Sequence, residues 1–301
     1  MAIINALDVG INSDWDDPSI IWVANAGFRS IRIGWEPNWD FSTLQRIVKT
    51  AGDNKLLVHL NCVPTKLAGG RTYDDPAMPG FVDKCARLPI SSLGFFNEGN
   101  HLPFIANPNA AQWADAQVKM KDIAHQANPI LTLLLEALSP ESGALDPRKF
   151  LADGLVHNNR LKEFNAFGAH VYEFPYNPLG KNSWNPAYYL NELDNLWKWY
   201  GKVMPFWITE FGAPSGPASS TALYPDAPYK YDEATQLQWF VDYMQAFQKS
   251  AAKVTKIMWY NQRDGNPGTG ADWEKYLGLL RVDGSEKPIC HAMRAVAWSN
   301  R

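Results

Sequence analysis

The chain has 301 residues, 46% hydrophobic and 20% charged, a balance that suits a globular protein with a large core, near the upper size of one domain or the lower size of two. Its 28 Lys and Arg against 31 Asp and Glu give a net charge of −3, with the basic residues scattered, so the electrostatic footprint of a nucleic-acid binder is missing. No run of about 18 apolar residues occurs, which excludes a membrane helix, and Cys62, Cys85 and Cys290 show neither metal-ligand spacing nor a disulfide framework.

The N-terminus "MAIINALDVGINSDWDD" has no basic segment followed by a cleavage site, so the expectation is a cytoplasmic protein, or a secreted one whose leader has been removed. From there, short runs rich in Ile, Val, Leu and Phe alternate with longer amphipathic segments. Strand-like Ile3–Ile11 precedes helix-like Pro18–Ala26, Ser30–Trp35 precedes Phe41–Ala51, Leu56–Cys62 precedes Gly80–Leu88, and Leu93–Asn97 precedes Ala110–Ala127. The second half repeats the pattern: Ile130–Ala137 with Pro147–Phe164, Ala166–Tyr172 with Pro186–Gly201, Phe206–Phe211 with Asp232–Ala252, and Lys256–Tyr260 with Pro288–Trp298. Asp146-Pro147 and Asn185-Pro186 are helix starts, each a capping side chain before a proline suited to the first turn.

Eight β-α pairs in this length predict a single closed (β/α)₈ barrel, an α/β TIM barrel over residues 1–301. A doubly wound open sheet is the rival; it usually carries a Gly-rich phosphate turn after its first strand, where this chain has the acidic "DVGINSDWDD". Two long segments, Pro64–Pro79 and Gly212–Tyr231, follow strands and are therefore expected on the C-terminal face, where they would shape a cleft.

"GFFNEGNH" and "PFWITEFGAP" each end a strand on a carboxylate, Glu98 and Glu210. Strand C-termini of a parallel barrel converge on one mouth, so the two side chains can face each other across it. Such a pair is suited to cleaving a glycosidic bond, one carboxyl donating a proton to the leaving oxygen and the other attacking the anomeric carbon. An anionic neighbour would raise the acid's pKa and keep it protonated near neutrality. Asn97 offers an amide to a sugar 2-hydroxyl, Arg32 in "SIRIGW" puts a guanidinium in the mouth where it needs a carboxylate, and His170 and Tyr172 share one strand face. Trp35 and His59 complete the candidate substrate-binding set, whereas Glu36, Glu136 and Glu173 lack such a setting. Rim aromatics at Trp15, Trp35, Trp39, Trp184 and Trp273 point to a β-linked glycan longer than a disaccharide.

"FNEGN" with "ITEFG", and the ending "YLGLLRVDGSEKPICHAMRA", resemble the "NEP" and "TEFG" motifs and the tail of clan A retaining glycoside hydrolases, among them family 39-like and cellulase-like members. The resemblance implies Glu98 as acid/base, Glu210 as nucleophile, Asn97 on the 2-hydroxyl, Arg32 and Tyr172 orienting the nucleophile, His170 lining the cleft and Trp259 as the floor of the central sugar subsite. It also implies a cis peptide between Trp259 and Tyr260, no metal or organic cofactor, and a retaining, endo-acting O-glycosyl hydrolase of polysaccharide degradation. Its carboxyls would stand about 5 to 5.5 Å apart. The chain departs from the motifs at Gly99, where proline is usual, and at Cys290, where tyrosine is common. The partner is then a carbohydrate, with neither nucleic acid nor membrane, and the protein is a monomer or weak oligomer. Two rivals stay open: a sugar-binding barrel without turnover, and a nicotinamide-dependent reductase whose phosphate site would fall in "GAPSGPASS".

Overall fold

The computed structural model describes residues 7–102, 104–140, 144–172, 185–216, 231–265 and 275–299. Eight parallel strands close in sequential order: β1 Asp8–Asn12, β2 Ser30–Trp35, β3 Leu57–Cys62, β4 Ser92–Phe95, β5 Thr132–Leu135, β6 Ala166–Val171, β7 Phe206–Phe211 and β8 Val254–Trp259. Around them lie α1 Asp17–Asn25, α2 Phe41–Asp53, α3 Met78–Ala86, α4 Ala110–Ala127, α5 Pro147–His157, α6 Pro186–Trp199, α7 Glu233–Lys249 and α8 Pro288–Ser299. The (β/α)₈ barrel is therefore as expected, and the open sheet is excluded by the β1–β8 pairing.

Capping sets the helix starts. Asp146 and Asn185 each accept two backbone N–H bonds of the helix they open, with Pro147 and Pro186 in the first turn. Asp40 caps α2 with two such bonds and Asp232 caps α7 with one, from Thr235 N–H, both without the proline. Most boundaries shift by one to three residues from the sequence reading, and three differences stand out. The first strand, expected from Ile3, begins at Asp8, with Ile3–Ala6 outside the described residues. The fourth stops at Phe95 because Phe96 takes φ +59°. Helix α5 ends at His157, since Asn158 is extended and its side chain caps a separate 3₁₀ turn, Asn159–Glu163.

Inside the barrel the floor is polar. Lys256 pairs with Asp8 at 2.8 Å and lies 4.3 Å over the Trp207 ring. One register row runs Asn12, Arg32, His59, Ser92 across β1 to β4, and it carries polar groups from this floor toward the mouth. The apolar residues between strands and helices form the continuous core, including Phe95, Phe167, Phe206, Phe211 and Trp259.

Candidate active site

Arg32 organises the mouth. It is 5% exposed, and its guanidinium donates to Glu210 Oε1 at 2.7 Å, Asn97 Oδ1 at 2.7 Å, Asn12 Oδ1 at 3.0 Å and Glu136 Oε2 at 3.3 Å. Burial disfavours its charge, but the Glu136 and Glu210 carboxylates more than offset this and hold its pKa above the ordinary arginine value. Because arginine only donates, Asn97 must turn its oxygen to it, which leaves the amide N–H₂ as the donor toward the cleft. Glu210 is gripped on both oxygens, with Tyr172 Oη–H donating to Oε2 at 3.0 Å.

Strict alternation along β7 would place Glu210 and Trp207, three positions apart, on opposite faces. Both point inward: Trp207 packs edge-on against His59 at 5.6 Å, and Glu210 meets Arg32. A β-bulge reconciles them. Ile208 and Glu210 pair with the consecutive Ala169 and His170 of β6, so Thr209 is the extra residue that re-aims the carboxylate. Asn12 Nδ2 donates to the Thr209 carbonyl at 2.9 Å and pins the bulge.

Glu98 arrives on a turn in which both Phe96, φ +59°, and Glu98 itself, φ +49°, are left-handed. Such backbone is costly for residues with a Cβ and is held here by its surroundings. Glu98 N donates to the Ala137 carbonyl, and an added Cβ at Gly99 would lie 2.6 Å from the Trp113 indole, so glycine is needed at the position where the motif usually has proline. His170 Nδ1 lies 2.7 Å from Glu98 Oε1 and His101 Nδ1 lies 3.4 Å from Oε2. The other ring nitrogen of His170 is 3.3 Å from Glu210 Oε1, near enough for charge attraction though not aligned as a hydrogen bond. His170 thus stands between the two carboxylates, and one oxygen of each lies within 4.8 Å of the other. Such an approach is compatible with the roughly 5–5.5 Å carboxyl separation of a retaining pair.

The electrostatics of Glu98 reverse the sequence expectation. Burial pushes its carboxyl up, but the hydrogen bonds and charge of His101 and His170 outweigh this and pull it down to about 2. His170 moves the opposite way: burial lowers it, and Glu210 and Glu98 together raise it above the usual histidine value. Both shifts favour a Glu98 carboxylate beside a protonated His170 ring.

Other candidates fall elsewhere. His59 is fully buried, with Nδ1 3.0 Å from Ser92 Oγ and Nε2 2.7 Å from Glu136 Oε1, so it supports the site from beneath instead of lining the cleft. Trp259 is fully buried too, its indole N–H donating to the Leu277 carbonyl and its ring packed 5.1 Å from Phe211, on the helix side of β8. It therefore offers no floor to a sugar. The half-buried Tyr260 takes the next, inward position, and the cis peptide is Tyr260–Asn261, one bond later than expected. Trp35 is buried against Trp15 at 5.5 Å and Trp39 at 5.3 Å, a rim cluster in which Trp15 is 47% exposed.

Glu136 is a correction as well. Sequence gave it no functional setting, yet it is fully buried and bonded to Arg32 and His59. Glu36 accepts from Arg71 at 2.6 Å and from Lys66 N, tying down the loop after β3. Glu173, Trp184, Trp273 and most of Gly212–Tyr231 lie outside the described residues. Asn12 and His101 were also missed. Among the described residues, Glu98, His170 and Glu210 form the cluster able to ligate a cation, but Arg32 and the raised His170 already place positive charge there.

No protein-family model matches this chain, and no curated protein matches it in sequence. The solved structures it is similar to are barrel glycosidases of the clan A type. An exo-β-1,4-mannosidase from Opitutaceae bacterium strain TAV5 aligns over 99% of this chain and 62% of its own length, at 16% identity and TM-score 0.64, so the present chain spans less than two thirds of that protein. A GH5_18 protein from Streptomyces cattleya, solved with GlcNAc, aligns over 100% of this chain and 81% of its own, at 16% identity and TM-score 0.68. A fungal β-1,4-galactanase aligns over 98% and 100%, at 12% identity and TM-score 0.69. At these identities the likeness establishes the fold.

Proposed function

We propose that this chain is a retaining O-glycoside hydrolase that cleaves β-glycosidic bonds of a glycan or oligosaccharide. The observation that carries the reading is Glu210, held on both oxygens by Arg32 and Tyr172, facing Glu98 with carboxylate oxygens within 4.8 Å. Glu210 attacks the anomeric carbon as the bond from that carbon to the leaving oxygen breaks. The proton for that oxygen comes from Glu98, which receives it across the 2.7 Å bond from His170. In the second step Glu98 takes a proton from water, the water oxygen displaces Glu210, and two inversions leave net retention. The Asn97 amide, fixed by Arg32, is placed to donate to the sugar 2-hydroxyl. No step requires a metal or an organic cofactor.

The β-linkage draws support from the relatives in structure, one an exo-β-1,4-mannosidase and another, a GH5_18 variant from Bifidobacterium longum, solved in complex with Manβ1-4GlcNAc. The Trp15, Trp35 and Trp39 cluster supports endo action on a chain longer than two sugars, because the half-exposed Trp15 ring on the loop after β1 is suited to stacking against a further sugar. A sugar-binding barrel without turnover is the second reading, and the clamp of two histidines on Glu98 favours it.

The test is a panel of aryl β-glycosides and β-linked polysaccharides, with product anomers read by NMR. Hydrolysis with retained configuration, reduced at least about 10³-fold by Glu210→Gln, is the expected outcome. Binding without hydrolysis of any member would instead establish the second reading, and an inverted product would undo the roles of both glutamates.

A further inference from the structure

Glu136 is a fully buried carboxylate that the reaction above does not use. It sits just beyond the end of β5, 3.3 Å from Arg32 and 2.7 Å from His59. Room for it is made on β4: a Cβ at Gly94 would lie 2.4 Å from Glu136 Oε1. Stability alone is a poor reason to seat a charge there, because replacing a buried ion pair with apolar side chains is often neutral or favourable. What the seat provides is a second anion on the guanidinium that binds Glu210.

Resting on the hydrolase reading, we propose that Glu136 is a positioning residue that shares the charge of Arg32 with Glu210 and so sets the basicity of the nucleophile. One guanidinium serves two carboxylates, at 2.7 Å and 3.3 Å. His59 carries no compensating charge: burial holds its pKa below the ordinary value, so its ring donates to Glu136 as a neutral group and accepts at Nδ1 from Ser92. With Glu136 in place, part of the positive field that Arg32 directs at Glu210 is cancelled. The groups around the pair are few. Glu210 is faced by Arg32 from β2, by His170 and Tyr172 from β6 and its following turn, and by Glu98 from the turn after β4. Glu136 is faced by Arg32 and His59, with the Cys62 thiol and His170 at longer range.

The experiment follows the Glu210 carboxyl directly, by ¹³C NMR titration of glutamate-labelled protein, with its signal assigned from Glu210→Gln. In Glu136→Gln the Glu210 midpoint should fall by about one pH unit, as removal of one nearby charge does. The acidic limb of the kcat/KM profile should move by the same amount, with a loss of roughly tenfold at the plateau. Glu136→Asp keeps the charge and should move the midpoint less. An unmoved midpoint in Glu136→Gln, or equal shifts in the Gln and Asp variants, overturns the proposal. If Gln at this position prevents folding, Glu136→Met removes the same charge in its place: a fall of the Glu210 midpoint supports the idea and an unmoved midpoint rejects it. The NMR titration needs no substrate, so failure of the intact protein to turn over any glycoside would count against the hydrolase reading and leave the charge-sharing result standing.

Discussion

Arg32→Met separates the electrostatic account of the mouth from a merely steric one. The substitution keeps a long apolar side chain but removes the cation bonded to both Glu136 and Glu210. In the intact protein, burial pushes Glu136 up, while Arg32, followed by His59, pulls it from the ordinary 4.5 down to about 2. A depressed carboxyl contributes stability that is present above its unfolded value and lost as pH falls through the folded one. The shift corresponds to about 3 kcal/mol at about 1.4 kcal/mol per unit. In the variant, burial acts with its main opponent gone, so the folded-state midpoint rises above the unfolded value and the sign reverses: stability is retained below that value and lost as pH rises. The deficit should therefore be about 4–5 kcal/mol near pH 8 and shrink to about 2–3 kcal/mol near pH 4, where the intact protein still keeps most of the Glu136 contribution. Urea unfolding followed by tryptophan fluorescence at several pH values measures it. A deficit that is constant across that range, or below about 1 kcal/mol at the alkaline end, would refute the reasoning.

Smaller perturbations should give graded answers. Tyr172→Phe deletes one hydroxyl donor, 3.0 Å from Glu210 Oε2, and should lower kcat/KM by about 10- to 100-fold, the worth of a hydrogen bond to a charged group, with circular dichroism unchanged. Gly94→Ala brings a methyl into the seat of Glu136 Oε1 and should destabilise by about 1–3 kcal/mol in urea, with a fall in turnover as Glu136 shifts against Arg32.

The barrel was legible because its signals are local and repeat eight times: apolar runs, caps such as Asp146 and Asn185, and prolines in first turns. Arg32, Asn97, Glu98, His170, Tyr172 and Glu210 were legible as well, since each is polar at a strand end, and the structure brings them into one network. The supporting residues were harder. Glu136 interrupts the apolar "LLLEAL", and a charge in such a run must be paired; that cost was the available signal, but its partner Arg32 lies 104 positions away. His101 follows Glu98 by three residues and reaches it across a turn closed by the His101 N–H bond to the Glu98 carbonyl, which no periodicity announces.

Glu210 and Trp259 show why two similar inferences met different fates. Counting by twos from an inward residue is the rule for a strand, and along β8 it holds: Lys256 faces the Trp207 ring inside the barrel, so Met258 and Tyr260 follow inward and Trp259 turns to Phe211 and Phe240 among the helices. The motif placed an aromatic ring correctly at the end of this strand but one residue early, and the expected cis bond was early by the same step. Along β7 the count fails, because the bulge at Thr209 shifts the phase between Trp207 and Glu210. There the motif outperforms the count, because the extra residue has no sequence signature, whereas the carboxylate must meet the one guanidinium that the barrel presents to it from β2. Alternation is thus the better guide where pairing is regular, and charge partnership is the better guide where the sheet is irregular, which in this barrel is the stretch of β7 that carries Glu210.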